Sequence, residues 1–233
     1  MAVYACSDFH GYLKAYNKIK DFITPDDVVY CLGDCGDRGP EPWDTIKTVL
    51  IDSQFIYIKG NHEDMLVKAA REAMGGYYDM EGCNAQHLLA NNGGFDTLTD
   101  LLGEEKTDMW VSTIAKLPLH TTYENINGVK VFLCHAGCSL WKDDEKIPSN
   151  KDLIWDRLHY FDNAKLLSDT VVVHGHTPMK YLAADLDELI DVKGAYGYAD
   201  GKKYCIDPGT HTTRKTVLLN LDNFESHCFN LKD

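Results

Sequence analysis

The chain has 233 residues, a length that suits one α/β domain with a core large enough to fold unaided. Its composition, 44% hydrophobic and 25% charged, is typical of a globular protein, and its net charge of −13 disfavours electrostatic binding to nucleic acid or to an anionic membrane. No apolar stretch approaches the ~20 residues that span a bilayer, and the N-terminus has no basic region ahead of its short apolar run, so we expect neither a membrane span nor a signal peptide.

The first half of the chain alternates short apolar runs with helical patterns. Strands are predicted at residues 3–6, 28–32 and 55–59, with helices at 12–23 and 42–51 between them. This βαβαβ order predicts a mainly parallel sheet covered by helices. The pattern is helical from 63 to about 102 and again through Trp110, and strand-like runs return at 129–134, 170–173, 203–206 and 216–221. These later strands predict a second sheet packed on the first.

Polar residues that can bind metals follow five of the predicted strands. They are Asp8 and His10, then Asp34, then Asn61 and His62, then His135, and finally His174 and His176. Ligands of open α/β sheets bind beyond the carboxyl ends of the strands, so these side chains are expected to meet at one edge. Carboxylate oxygen and imidazole nitrogen suit a divalent metal of borderline character, and a pair of metals needs an anionic ligand between them.

The residues around these positions form five short motifs in a fixed order. They read Asp8-Phe9-His10-Gly11, Gly33-Asp34-Cys35-Gly36-Asp37-Arg38-Gly39, Gly60-Asn61-His62-Glu63, His135-Ala136-Gly137 and Gly175-His176-Thr177-Pro178. Together they resemble the signature of the calcineurin-like metallophosphoesterases, and more narrowly that of the phosphoprotein phosphatase branch. Segments 91–98 and 154–157 are similar to parts of the small bacterial members, and 206–209 loosely resembles a later family segment.

The sequence has no internal repeat or linker, so we expect a single catalytic domain over 1–233, with two packed mixed β-sheets flanked by helices. The helical middle, at about 64–115, is the expected cap. The resemblance implies a first metal held by Asp8, His10 and Asp34. It implies a second metal held by Asp34, Asn61, His135 and His176, so that Asp34 bridges the pair. A hydroxide shared by the metals would attack phosphorus in line, without a phosphoenzyme.

The resemblance also implies roles in catalysis and phosphate binding. His62 would be the general acid that protonates the leaving oxygen, with Asp37 holding its other ring nitrogen. Arg38 and Arg157 would hold phosphate oxygens, together with Asn61, because a planar guanidinium offers paired donors. These arginines would supply local positive charge in an acidic protein.

Some assignments stay open at the level of sequence. Ser7 stands where the family has Gly, and Gly36 stands where Val is common. His174 is an alternative to His176 as a ligand, and His211 could also line the site. Glu63 fits either a first-turn helix carboxylate or a support behind the ligands, whereas Arg157 could instead be a surface arginine in a salt bridge.

The activity predicted is hydrolysis of phosphate monoesters, with a serine/threonine protein phosphatase preferred. The alternatives are a symmetrical diadenosine tetraphosphatase or a broad small-molecule phosphatase, because specificity lies in the loops around a common core. A catalytically dead scaffold is disfavoured because the ligand set is complete, and Thr177 and Pro178 argue against the nuclease branch. We expect two divalent metal ions, with Mn²⁺ preferred over Fe or Zn²⁺. We also expect reduced cysteines and a cytoplasmic location.

Overall fold

The computed structural model describes residues 1–75, 85–137, 148–158, 170–182 and 192–232. Within these residues, ten strands form two sheets of five. The strands are β1 (Val3–Cys6), β2 (Val28–Cys31), β3 (Phe55–Tyr57), β4 (His120–Glu124), β5 (Lys130–Cys134), β6 (Thr170–His174), β7 (Tyr196–Tyr198), β8 (Lys203–Cys205), β9 (Lys215–Asn220) and β10 (Ser226–Asn230). The described helices are α1 (Leu13–Phe22), α2 (Pro42–Ile51), α3 (Asn61–Ala73), α4 (Ala85–Asn91), α5 (Phe95–Leu102), α6 (Thr107–Ala115), α7 (Asn150–Trp155) and α8 (Thr210–Thr213).

Both sheets are mixed. The first has the order β10-β9-β1-β2-β3, in which β1, β2 and β3 are parallel and β9 runs antiparallel to β1 and β10. The second has the order β4-β5-β6-β8-β7, in which β5, β6 and β8 are parallel and both edge strands run antiparallel. The predicted α/β fold with two packed mixed sheets is therefore confirmed.

Successive side chains of a strand point to opposite faces of the sheet, and this divides the core into two layers. Val3 and Ala5 of β1 face the second sheet and pack in one buried cluster with Val131 and Val173. Cys6, one position further along β1, lies in the cluster beneath the helices. Because side chains alternate across a strand, β1 contributes to both cores at once. This sandwich places the carboxyl ends of β1, β2, β3, β5 and β6 at one edge.

Candidate metal centre

Six polar side chains converge at this edge, just after five strands. Each is at most 7% exposed: Asp8, His10, Asp34, Asn61, His135 and His176. These are the six residues that the sequence resemblance implies as metal ligands. They are contributed by segments up to 168 positions apart, as in the hydrogen bond from His176 N to Asp8 Oδ2 at 3.1 Å.

The loops that carry these residues are held together by their own backbones. The amide of Asp8 donates to Gly33 O at 3.0 Å, and that of His10 donates to Asp34 O at 2.9 Å. Three of these residues adopt positive φ, at 57° for Asp8, 46° for His10 and 56° for Asp34, as does His176 at 69°. Such conformations cost energy in residues other than glycine and concentrate at functional sites. The tertiary structure holds four of the six candidate ligands in them.

Asp34 lies at the centre of the cluster. Its Oδ2 is 3.3 Å from His135 Nε2, 3.7 Å from His62 Nε2 and 3.9 Å from His10 Nε2. Within the described residues, two groups have ligand atoms close enough to hold a metal ion. They are His10, Asp34 and His62, and Asp34, His135 and His176. Asp34 is common to both.

Asp8 borders the first of these groups. Its Oδ1 lies 3.8 Å from His10 Nε2, and its other oxygen accepts hydrogen bonds from Ser7 Oγ at 2.5 Å and from the amide of His176. One oxygen is therefore fixed by the protein, while the other points at the cluster. The first group in the structure consists of His10, Asp34 and His62, whereas the resemblance implies Asp8, His10 and Asp34 as the first set of ligands. The two sets share His10 and Asp34.

Backbone carbonyls orient two of the histidines. His10 Nδ1 donates to Gly36 O at 3.2 Å, and His135 Nδ1 donates to Leu32 O at 2.6 Å. A carbonyl only accepts, so in the neutral ring the proton stays on Nδ1. The Nε2 atom of each ring, which faces Asp34, is then available to a cation.

The donor atoms fit a pair of divalent cations. Among the described residues, Asp8 Oδ1 and His176 Nε2 are buried and have no hydrogen-bond partner. Leaving a buried polar atom unpaired costs about 1–3 kcal/mol, and a bound cation would satisfy both. Asn61 Oδ1 lies 2.9 Å from His135 Nε2 and 2.9 Å from His176 Nδ1, so an amide oxygen joins the second group. Mixed oxygen and imidazole donors are what borderline divalent metals take.

Electrostatic coupling in the cluster is strong. Burial raises the pKa of Asp8 well above its ordinary value, and the nearby charge of Asp207 raises it further. Burial also disfavours the charged form of Asp34, but His135 and His62 outweigh it and hold its pKa well below the usual range. In His135, burial is opposed by Asp34, which raises the pKa to about 10. A cation bound at His135 Nε2 would compete with a proton for that atom.

A second constellation lies beside the first. His62 Nδ1 is 2.5 Å from Asp37 Oδ2, and both side chains are almost fully buried. Burial lowers the pKa of His62, but the charges of Asp34 and Asp37 outweigh it, so the net shift is upward. The exposed Arg38 contacts both histidines of the first group, because its NH1 lies 2.8 Å from His10 Nε2 and its NH2 lies 2.9 Å from His62 Nε2.

Several supporting residues had no role predicted from the sequence. The hydroxyl of Thr97 donates to Asp37 Oδ1, and Thr97 Oγ1 accepts from the Asp37 amide at 3.2 Å. Gly93 O accepts from the amide of Arg38 at 3.0 Å. Gly93 and Thr97 both lie in segment 91–98, whose resemblance to the family was the signal in the sequence that could have identified them. Asp207 is also buried, within a segment that resembles the family only loosely, and burial is the first cause that raises its pKa to about 6.

Glu63 combines the two roles that the sequence left open. It lies in the first turn of α3, where its Oε2 accepts from the amide of Gly60 at 2.8 Å. It also accepts from the amides of Asp34 at 2.8 Å and Cys35 at 2.9 Å. One carboxylate thus joins the start of α3 to the loop that carries Asp34.

The remaining candidates lie at the margins. His174 ends β6, and its Nε2 is 2.7 Å from the hydroxyl of Tyr198, whereas His176 is the one that joins the cluster. Arg157 is exposed, and its charge helps to lower the pKa of His176 after burial and His135. His211 is exposed and lies against the ring of Tyr12, with 6.4 Å between ring centroids.

Comparison with known proteins identifies the family. The model of the calcineurin-like phosphoesterase family matches residues 1–211, so the chain belongs to this family, whose members are hydrolases acting on phosphoester bonds. It is 25% identical over 141 residues to a symmetrical bis(5′-nucleosyl)-tetraphosphatase of Delftia acidovorans. That alignment covers 59% of this chain and 44% of the relative, so the chain spans less than half of that protein's length.

Two solved structures share the fold. A protein serine/threonine phosphatase of Saccharomyces cerevisiae with similarity to human phosphatase PP5 superposes with a TM-score of 0.64 and 14% identity, over 100% of this chain and 81% of that one. A structure described as a diadenosine tetraphosphatase superposes with a TM-score of 0.62 and 15% identity, over 97% of this chain and 92% of that one. In the part of the chain that the structure describes, none of the helices has the length and apolar character needed to cross a membrane.

Proposed function

We propose that this chain is a serine/threonine protein phosphatase that hydrolyses phosphate monoesters with the help of two divalent cations. The position of Asp34 carries the proposal. Its Oδ2 lies 3.3 Å from His135 Nε2 and 3.9 Å from His10 Nε2, so one carboxylate reaches both groups of candidate ligands. A bridging carboxylate of this kind is what a two-metal hydrolase requires.

The proposed ligands divide into two sets that share Asp34. The first set is Asp8, His10 and Asp34, and the second is Asp34, Asn61, His135 and His176. When bound, the cations supply the Lewis acidity that lowers the pKa of water towards ~7 and withdraws charge from the phosphate. The donor set accommodates Mn²⁺, Fe and Zn²⁺, and we propose that Mn²⁺ supports activity.

His62 is proposed as the general acid. An alkoxide of serine or threonine leaves poorly without a proton, and His62 Nε2 faces the same space as the candidate ligands. Asp37, at 2.5 Å from Nδ1, orients the ring and favours the charged form that donates the proton. Thr97 holds Asp37 in turn.

Arg38, Asn61 and Arg157 are proposed to bind the phosphate. Arg38 donates to His10 Nε2 and His62 Nε2, and it loses these acceptors when His10 binds a cation and His62 takes up a proton. Its exposed guanidinium is then free to donate to phosphate oxygens. The exposed Arg157 would approach from the side of His176.

We also propose that residues 1–233 form one catalytic domain in which the helices at about 64–115 act as a cap. The hydrogen bonds of Gly93 and Thr97 to the loop that carries Asp37 and Arg38 support this assignment. Helices that hold this loop are placed to influence which substrates reach it.

The test combines turnover with metal analysis. We expect hydrolysis of p-nitrophenyl phosphate and of a phosphothreonine peptide with Mn²⁺, and loss of both after EDTA treatment. Asp34→Asn should lower the bound metal from two ions towards one or none, whereas the exposed Asp26→Asn should leave it unchanged. Activity that persists after complete metal removal would refute the two-metal proposal.

A second candidate is hydrolysis of dinucleoside tetraphosphates. It is favoured by the similarity to the symmetrical tetraphosphatase of Delftia acidovorans. Parallel assays on a phosphothreonine peptide and on diadenosine tetraphosphate separate the two. A much larger kcat/KM for the dinucleotide would replace our preference.

A further inference from the structure

A groove of about 770 Å³ lies beside the candidate metal centre. One of its walls is the face of α3 that begins with Asn61. Asp64 and Lys68 follow at spacings of three and four residues, which place them on the same side of the helix, and both line the groove. A substrate group bound next to Asn61 can therefore extend along this face.

Residues of α7 form another part of the lining. Ile154 and Trp155 line the groove, and the ring of Trp155 lies edge-on to His176, with 6.2 Å between ring centroids. Trp155 therefore contacts both the groove and a candidate metal ligand. The volume falls in the range of about 300–1,000 Å³ that is typical of binding sites.

The charge of the groove is opposite to that of the protein. Its described lining includes three lysines, Lys59, Lys68 and Lys151, against the single carboxylate of Asp64, whereas the whole chain carries −13. Lys59 Nζ is fixed by Ala115 O at 2.7 Å, and Lys68 Nζ is 2.6 Å from Asp64 Oδ2. A local excess of two positive charges in a strongly acidic protein favours an anionic occupant.

We propose that this groove binds an acidic side chain that flanks the phosphorylated residue of a peptide substrate. The inference rests on the proposed protein phosphatase function and adds a preference for acidic sequences. The carboxylate would pair with Lys151 and Lys68, and apolar atoms of the peptide would pack on Trp155. These contacts select among substrates and take no part in the chemistry of the phosphate.

The test compares three phosphothreonine peptides that differ only in whether their flanking residues are Glu, Gln or Lys. Wild-type protein with Mn²⁺ should show a kcat/KM about tenfold higher for the Glu peptide than for the Lys peptide, since each partly exposed ion pair contributes up to about fivefold. The ratio should fall as salt is raised. Because the ratio is taken within one protein preparation, losses of folding or metal cancel.

Matched variants test whether the groove lysines cause the preference for the Glu peptide. Lys151→Glu and Lys68→Glu should each reduce the Glu-to-Lys ratio severalfold, whereas Lys18→Glu, an exposed position of α1 outside the groove, should preserve it. All three substitutions change the net charge equally, so long-range repulsion is controlled. A wild-type ratio near one, or an unchanged ratio in both groove variants, would overturn the proposal while leaving the phosphatase function intact.

The peptide and dinucleotide interpretations also give different results. If the protein hydrolyses p-nitrophenyl phosphate but none of the peptides, the protein phosphatase function and the groove proposal both fail. If Lys151→Glu lowers kcat/KM for diadenosine tetraphosphate and leaves the peptide ratio unchanged, the groove binds a polyphosphate instead and the proposal is wrong.

Discussion

Glu63→Gln tests whether one buried carboxylate organises the candidate centre. Glu63 is fully buried, and each of its oxygens accepts two hydrogen bonds. Oε2 accepts from the amides of Asp34 and Gly60, both at 2.8 Å. Oε1 accepts from the Cys35 amide at 2.9 Å and from the Tyr57 hydroxyl at 2.7 Å. The substitution keeps the shape of the side chain but replaces one acceptor oxygen with a donor.

The cost depends on which oxygen is replaced. An NH₂ group at the Oε2 position leaves two backbone N–H groups, of Asp34 and Gly60, facing another donor. At the Oε1 position the Tyr57 hydroxyl can turn to accept, but the Cys35 amide is left unpaired. Each orphaned buried group costs about 1–3 kcal/mol, and the lost bonds to a charged acceptor are at the strong end of the range. We therefore expect a loss of about 2–4 kcal/mol in the free energy of unfolding.

Urea unfolding of the metal-free protein measures this loss without reference to activity. Glu105→Gln is the matched control, because Glu105 is exposed and surface substitutions usually change stability by less than about 0.5 kcal/mol. The same variant should bind Mn²⁺ more weakly, since the Asp34 loop loses an anchor. If Glu63→Gln unfolds within about 0.5 kcal/mol of wild type, the carboxylate does not hold these loops together and the reasoning is wrong.

Three further predictions concern the centre itself. His62→Asn should lower kcat on a phosphothreonine peptide about 10²–10⁴-fold. The loss on p-nitrophenyl phosphate should be far smaller, because its leaving group needs little protonation. Equal losses on the two substrates would show that His62 is not the general acid. Free Mn²⁺ at 100 times its Kd should stabilise the fold by about 2.7 kcal/mol for each ion bound, a rise in Tm of about 5–11 °C per ion. An undiminished rise in Asp34→Asn would contradict its bridging role. Gly60→Ala should lower the free energy of unfolding by about 1–3 kcal/mol, because the added Cβ collides with the Asp34 carboxylate. Gly103→Ala is the control, since its Cβ meets only carbonyl oxygens at 3.4 Å or more and should be tolerated. Calorimetry of both variants measures the difference.

Local sequence patterns were sufficient to predict most helices and strands in the first half of the chain. The helix predicted at 42–51 matches α2, and the strand predicted at 3–6 matches β1. The edge strands β4, β7 and β10 and the six-residue helix α7 were not predicted. These strands are only partly buried and lack the apolar run that marks β1 and β5, and α7 spans fewer than two helical turns. Tertiary pairing and packing decide such elements.

The choice between His174 and His176 shows the limit of a strand pattern. Both histidines flank Gly175 and are chemically equivalent as ligands. His174 is the last residue of β6 and contacts Tyr198, while His176 lies beyond it with a positive φ of 69° and reaches Asn61. The conformation of the turn places one ring in the cluster and the other outside it, and the motif had favoured His176 only by resemblance.

The sequence by itself determined the order of the strands and helices in the first half of the chain, the residue types that follow the predicted strands, and the family to which the motifs belong. The reason is that hydrophobic period and short motifs are local properties of the chain. Only the tertiary structure decided which distant groups meet, such as Thr97 with Asp37 across 60 positions, and that a positively charged groove lies beside His176. Those arrangements depend on packing between elements that are far apart in sequence, and no local pattern encodes them.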